Sequence, residues 1–96
     1  MYKKTPQLLG SVIDKFFADL GLRERYKRSK IIGAWQDIVG EQVAKVSTAE
    51  RIVGKRLFIH VTDSAWRHEL HLRKKEIIFK VNRYIGMTAI DDIMFH

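Results

Sequence analysis

The chain has no cysteine, which excludes disulfides, zinc ribbons and thiol nucleophiles together and suits a reducing, cytoplasmic setting. Its one proline is Pro6, and its six glycines form neither a Gly-x-x-x-x-Gly-Lys loop nor a Gly-x-Gly-x-x-Gly turn. Nucleotide hydrolysis therefore lacks a phosphate cradle. A Gly-x-Ser-x-Gly elbow is absent as well, so no serine is set up as a nucleophile. No apolar run reaches the ~18 residues of a membrane span. The opening Met1-Tyr2-Lys3-Lys4-Thr5-Pro6 lacks the apolar stretch of an export signal. Enzymes, membrane proteins and secreted scaffolds are thus the classes least expected.

What remains is 96 residues, 46% hydrophobic and 30% charged, which is enough for one small core and one domain spanning 1–96. Acidic residues are under-represented: 18 Lys and Arg face 11 Asp and Glu, a net charge of +7. An excess of this size on a small domain points to a polyanionic partner, nucleic acid first.

The pattern of apolar residues gives the order α-α-β-β-α(α)-β. Thr5 caps a first helix, Pro6 fits its first turn, and Gly21 ends it. Leu9, Val12, Ile13, Phe16, Phe17 and Leu20 form its buried stripe, with Asp14, Lys15 and Asp19 facing water. A second helix is predicted over 23–39, with Tyr26, Ile31, Trp35, Ile38 and Val39 inward, followed by one further turn over 41–46. Arg51-Ile52-Val53, Gly54-Lys55 and Arg56 through Thr62 read as a hairpin with glycine opening the turn. Leu57, Ile59 and Val61 should pack under helices, leaving Arg56, Phe58, His60 and Thr62 on the other face. Asp63 or Ser64 caps a helical stretch that reaches Ile85 and is closed by Gly86. Its apolar stripe comprises Trp66, Leu70, Ile77, Ile78, Val81, Tyr84 and Ile85. Arg73-Lys74-Lys75 interrupts the stripe, so a bend is expected near 72–75. Asn82 either faces water or ties the helix to nearby backbone. Residues 89–95 form a third strand with Ile93 and Phe95 inward. The fold class is α+β, with helices on one face of a three-stranded mixed sheet.

Two basic groups stand out as candidate nucleic-acid contacts. Arg23, Arg25, Lys27, Arg28 and Lys30 crowd the start of the second helix, where cations oppose the helix dipole, so helix stability does not explain them. Arg67, Arg73, Lys74 and Lys75 form the other group. Arg51 and Arg56 flank Phe58 and His60, an arrangement that would let a base stack while phosphates meet the rim, unless Phe58 turns into the core. Trp35 and Trp66 lie on apolar stripes and read as core residues. His68 and His71, at i and i+3, supply only two metal ligands, and His60 and His96 belong to other elements, so no metal or other cofactor is expected. Asp91-Asp92 reads as a strand edge rather than a magnesium site.

Trp35-x-x-Ile38-Val39-Gly40 with Ala44, Gly54-x-x-Leu57, Val61-Thr62-Asp63-Ser64-Ala65-Trp66, Glu69-Leu70 and Asn82 before Gly86 resemble the DciA-like family over roughly residues 8–95. The resemblance implies a KH-like domain that binds nucleic acid and assists loading of a replicative DnaB-type helicase onto DNA. The Gly-x-x-Gly loop by which KH domains clamp a nucleotide backbone is absent, and the nearest interhelical segment reads Leu72-Arg73-Lys74-Lys75. Any grip would then be electrostatic. The expected function is a non-enzymatic, cytoplasmic DNA-binding accessory with no small-molecule substrate and no membrane partner. Its alternatives are a protein-interaction module without direct DNA binding and an RNA-binding KH-like protein.

Overall fold

The computed structural model describes residues 12, 13, 15, 16 and 20–96. The expected Thr5 cap, the Pro6 first turn, the stripe members Leu9 and Phe17, and the water-facing Asp14 and Asp19 lie outside the described residues. Val12, Ile13, Lys15 and Phe16 are helical, and the Leu20 N–H donates to the Phe16 carbonyl (3.2 Å) before Gly21 turns the chain at φ 68°. The predicted burial does not hold for Val12, Ile13, Phe16 and Leu20, which are all exposed. A stripe at helical spacing specifies a face, and these four residues of it do not belong to the core cluster.

Helix α1 (Leu22–Gly33) is followed by α2 (Trp35–Val39) and α3 (Glu41–Ala44). One continuous helix over 23–39 was expected, but the chain breaks at Ala34, whose N–H is shared between the carbonyls of Lys30 (3.0 Å) and Ile31 (3.2 Å). The break re-aims Trp35, which is buried and donates its indole N–H to Ser47 Oγ at 2.9 Å, while that hydroxyl donates to the Val43 carbonyl at 2.6 Å. A buried indole needs such an acceptor. Tyr26 departs from its expected inner position: it is exposed on α1, with the Lys30 ammonium 4.8 Å from its ring centroid. Only Ile31 of α1 is buried.

Strands β1 (Ser47–Val53) and β2 (Arg56–Val61) form the antiparallel hairpin. Gly54 has φ 62° and no other residue type in the described chain has positive φ, which is the sign pattern of a turn that opens on glycine and matches the strand twist. The first strand starts four positions earlier than the sequence suggested, at Ser47. A bulge explains why alternation did not reveal it. Ala49 pairs with Ile59 and Arg51 with Phe58, leaving Glu50 as the extra residue. Ser47 and Ala49 therefore point inward before the bulge and Ile52 after it, which breaks the period of two.

Asp63 caps α4 (Ser64–Leu72), its carboxylate accepting from the Trp66 N–H at 2.9 Å. Arg73 interrupts the helical stretch, as the cationic triplet predicted, and α5 (Lys74–Ile85) follows. Tyr84 is exposed rather than part of the buried stripe. Strand β3 (Asp92–Phe95) pairs parallel with β2, so β2 is central in the order β1-β2-β3. The predicted strand over 89–95 is shorter because Asn82 captures its first part. Asn82 Oδ1 accepts from the N–H of Ala89 (2.9 Å) and Ile90 (3.0 Å), and its amide donates to the Ile90 carbonyl (2.9 Å). Of the two roles considered for Asn82, the tie to backbone is the one observed.

The core lies between the inner sheet face and the helices. Leu57, Ile59, Val61 and Ile93 from the sheet, Ile31, Leu70 and Val81 from the helices, and Ile90 from the connection are each almost wholly buried. Each such side chain contributes roughly 1.5–3 kcal/mol by burial. The outer sheet face carries no helix-packed core residue. It carries rows of side chains that face the solvent.

Candidate nucleic-acid interface

Strand register arranges the outer face as three rows. Nearest the hairpin turn, Val53, Arg56 and Asp92 are neighbours, then Arg51, Phe58 and Met94, then Thr48 with His60. His96 extends the last row, since its N–H donates to the Ile59 carbonyl (2.9 Å) and its carbonyl accepts from the Val61 N–H (2.7 Å), continuing the parallel ladder. Glu50, displaced by the bulge, also reaches this row: its carboxylate lies 2.7 Å from His96 Nε2.

The middle row settles the position of Phe58. It does not turn into the helical core. It stays half-buried on the outer face, with the Arg51 guanidinium 4.3 Å from its ring centroid. This contact holds an arginine and an aromatic ring in one stack beside open solvent. Arg56 lies in the first row, 3.3 Å from Asp92. An open cleft of about 320 Å³ is lined by Val53, Lys55, Arg56, Phe58 and Asp91.

On the helical side of the same hairpin, Arg25, Arg28, Ser29 and Ile32 of α1 face Ile52 and Gly54 across a cleft of about 390 Å³. Arg28 is half-buried and anchored, its Nε donating to the Ala89 carbonyl at 3.1 Å. A helix turns ~100° per residue, so Arg25 and Arg28 fall on the flank toward the hairpin, and Arg23, Lys27 and Lys30 on the other. The five α1 cations are therefore split between two flanks. The hairpin tip is straddled by Arg25 and Arg28 on one side and by Arg51, Lys55 and Arg56 on the other. Lys55 was not singled out from the sequence, because as the second residue of a turn it belongs to no periodic face.

Three members of the second basic group are tied down by other contacts. Arg67 is half-buried and donates Nη2 to the Val61 carbonyl at 2.9 Å, strapping α4 to β2, and its Nε is buried without a hydrogen-bond partner. Arg73 pairs with Glu69 through both Nε (2.9 Å) and Nη2 (2.8 Å). Lys74 reaches Asp92 Oδ1 at 3.2 Å. Lys75 is exposed. The Lys74 ammonium, hydrogen-bonded to Asp92, holds that carboxyl below its ordinary range, aided by the Ile93 N–H and by nearby Arg56. Asp92 thus joins α5, β2 and β3, rather than marking only a strand edge.

Metal-capable side chains converge at one place among the described residues, where Glu50, His60 and His96 meet at the far end of the outer face. No helix among them is long and apolar enough to cross a membrane.

Comparison with known proteins agrees on a family. The family described as Dna[CI] antecedent, DciA matches residues 8–95. The chain belongs to the DciA family. A UPF0232 protein of Corynebacterium glutamicum is 25% identical over 92 residues, covering 96% of this chain and 52% of its own length. UPF0232 proteins of Mycolicibacterium smegmatis (26% over 83 residues; 86% of this chain, 43% of the relative) and Streptomyces coelicolor (28% over 89 residues; 91% and 47%) are similar to it as well. The chain spans about half the length of these curated relatives.

Proposed function

We propose that this DciA-family domain is a non-enzymatic accessory that holds nucleic acid at its β1–β2 hairpin, in support of a replicative DnaB-type helicase. The observation that carries the reading is the set of cations on both sides of the hairpin tip: Arg25 and Arg28 on one side, Arg51, Lys55 and Arg56 on the other. Phosphates engage such distributed donors without reading sequence. A splayed base extends the stack that Arg51 already makes on Phe58, which favours a single strand over a duplex. Family membership supports the helicase connection. Lys75 and the far flank of α1 (Arg23, Lys27, Lys30) supply peripheral charge. Arg67 and Arg73 are held by the Val61 carbonyl and by Glu69, and Lys74 shares Asp92 with Arg56.

The test is a titration of single-stranded DNA across salt concentrations. With five cations engaged, the slope of log K against log salt is about −3.5, so affinity falls roughly 100-fold between 50 and 200 mM salt. Replacing Arg25 and Lys55 together by Ala reduces the slope by about 1.4, while Lys80→Ala, which removes a cation paired with Glu76, leaves it unchanged. A slope insensitive to the double variant overturns the hairpin site. RNA of equal length binding more tightly than DNA would reassign the polymer.

The exposure of Val12, Ile13 and Leu20, apolar residues beside the basic helix, favours a second reading, a protein-interaction surface. Recovery of the helicase after nuclease treatment, without measurable DNA binding, would select it.

A further inference from the structure

We infer that Glu50, His60 and His96 form a site for a divalent transition-metal ion, on the outer sheet face at the end opposite the hairpin turn. Two independent features of the chain bring the ligands together. Parallel pairing of β3 with β2 sets His96 beside His60, with ring centroids 5.3 Å apart. The bulge in β1 frees Glu50 from the ladder and delivers its carboxylate to His96 Nε2 at 2.7 Å. One donor atom from each of the three residues then lies within 4.8 Å of the others. A tetrahedral ion with bonds of ~2.1 Å needs donors ~3.4 Å apart, so the donors close by at most ~1.4 Å on binding.

The donor set selects the metal. Two imidazoles and one carboxylate suit zinc and its neighbours in the transition series, and are poor ligands for magnesium or calcium, which take oxygen donors. All three residues are exposed, so an ion has an open path and keeps solvent in its fourth position. Exposure and the net charge of +7 both weaken cation binding relative to a closed structural site. Bound metal would link β1, β2 and the end of β3, so binding raises thermal stability. This site is separate from the hairpin cations and does not depend on the nucleic-acid reading.

The experiment uses the tag-free 96-residue chain and Zn²⁺ alone, followed by calorimetric titration, with the Co²⁺ absorption spectrum as a report on geometry. One equivalent binds, the melting temperature rises with metal, and Co²⁺ gives the intense visible bands of a four-coordinate site. His60→Ala and Glu50→Gln each weaken binding at least tenfold, and the two exposed substitutions leave the metal-free melting curve near that of the parent. A variant with both His68→Ala and His71→Ala binds as the parent does. Loss of binding in that variant instead, retention in His60→Ala, or no saturation by millimolar Zn²⁺ would overturn the site.

Discussion

Replacing Asn82 by Ala removes three hydrogen bonds at once, to the N–H of Ala89, the N–H of Ile90 and the carbonyl of Ile90. Both of those residues are fully buried, so the freed backbone groups find no easy substitute in water. Each lost bond costs about 1 kcal/mol net, and a buried group left unpaired costs about 1–3 kcal/mol. Set against a gain of roughly 0.7 kcal/mol from the better helix propensity of Ala, the expected loss is about 3 kcal/mol. A domain of this length has a total stability of about 5–14 kcal/mol. The loss then corresponds to a fall in melting temperature of ~12–20 °C. Asn82→Asp keeps the acceptor for both N–H groups and removes the donor, so it should cost about 1–2 kcal/mol. Urea denaturation followed by circular dichroism measures both variants. The connection held by Asn82 also presents the Ala89 carbonyl to Arg28 and leads into β3. Amide exchange should therefore quicken in residues 89–95 ahead of the β1–β2 hairpin. A cost for Asn82→Ala below ~1 kcal/mol, with exchange in 89–95 unchanged, would show that Asn82 does not hold this connection.

Asp92→Asn should raise affinity for single-stranded DNA, because it frees Arg56 and Lys74 from their shared carboxylate, and it is checked by the same salt titration. Its stability effect depends on pH. The folded pKa of Asp92 is lowered, so its contribution is fully present above the ordinary carboxylate value of 3.8 and is lost as pH falls through the lower folded value; Asp92→Asn should flatten acid unfolding in that window. Phe58→Ala should weaken single-strand binding by ~5–150-fold, the equivalent of about 1–3 kcal/mol for one stacked base, and leave duplex binding nearly unchanged. Replacing Arg73, Lys74 and Lys75 together by Glu should lower the melting temperature, because the first two lose ion pairs and then face Glu69 and Asp92 as like charges. A melting curve identical to the parent would contradict that assignment. Ser47→Ala should cost about 1–3 kcal/mol in urea, since it strands the buried Trp35 N–H.

The sequence by itself determined the element order, the mixed α+β class, the inward set Leu57, Ile59 and Val61, the interruption at 73 and the family. These depend on local periods, caps and turn glycines, which act between neighbours in the chain. It also determined the excess of positive charge, which no folding can alter. What each of those charges touches was set by the packing of the elements. Arg67 and Lys74 looked equivalent to Arg25 and Lys55 as residue types, yet the fold gives the first pair a carbonyl and a carboxylate and sets the second pair along clefts beside the hairpin. The start of β1 was hidden by the bulge at Glu50, because one unpaired residue inverts the alternation that marks a strand. Proximity of Glu50, His60 and His96 was hidden for a related reason: strand register joins residues far apart in sequence, and composition carries no trace of it. Ionic and metal-binding chemistry depends on distances of a few ångströms across different elements, and only the packed chain sets them.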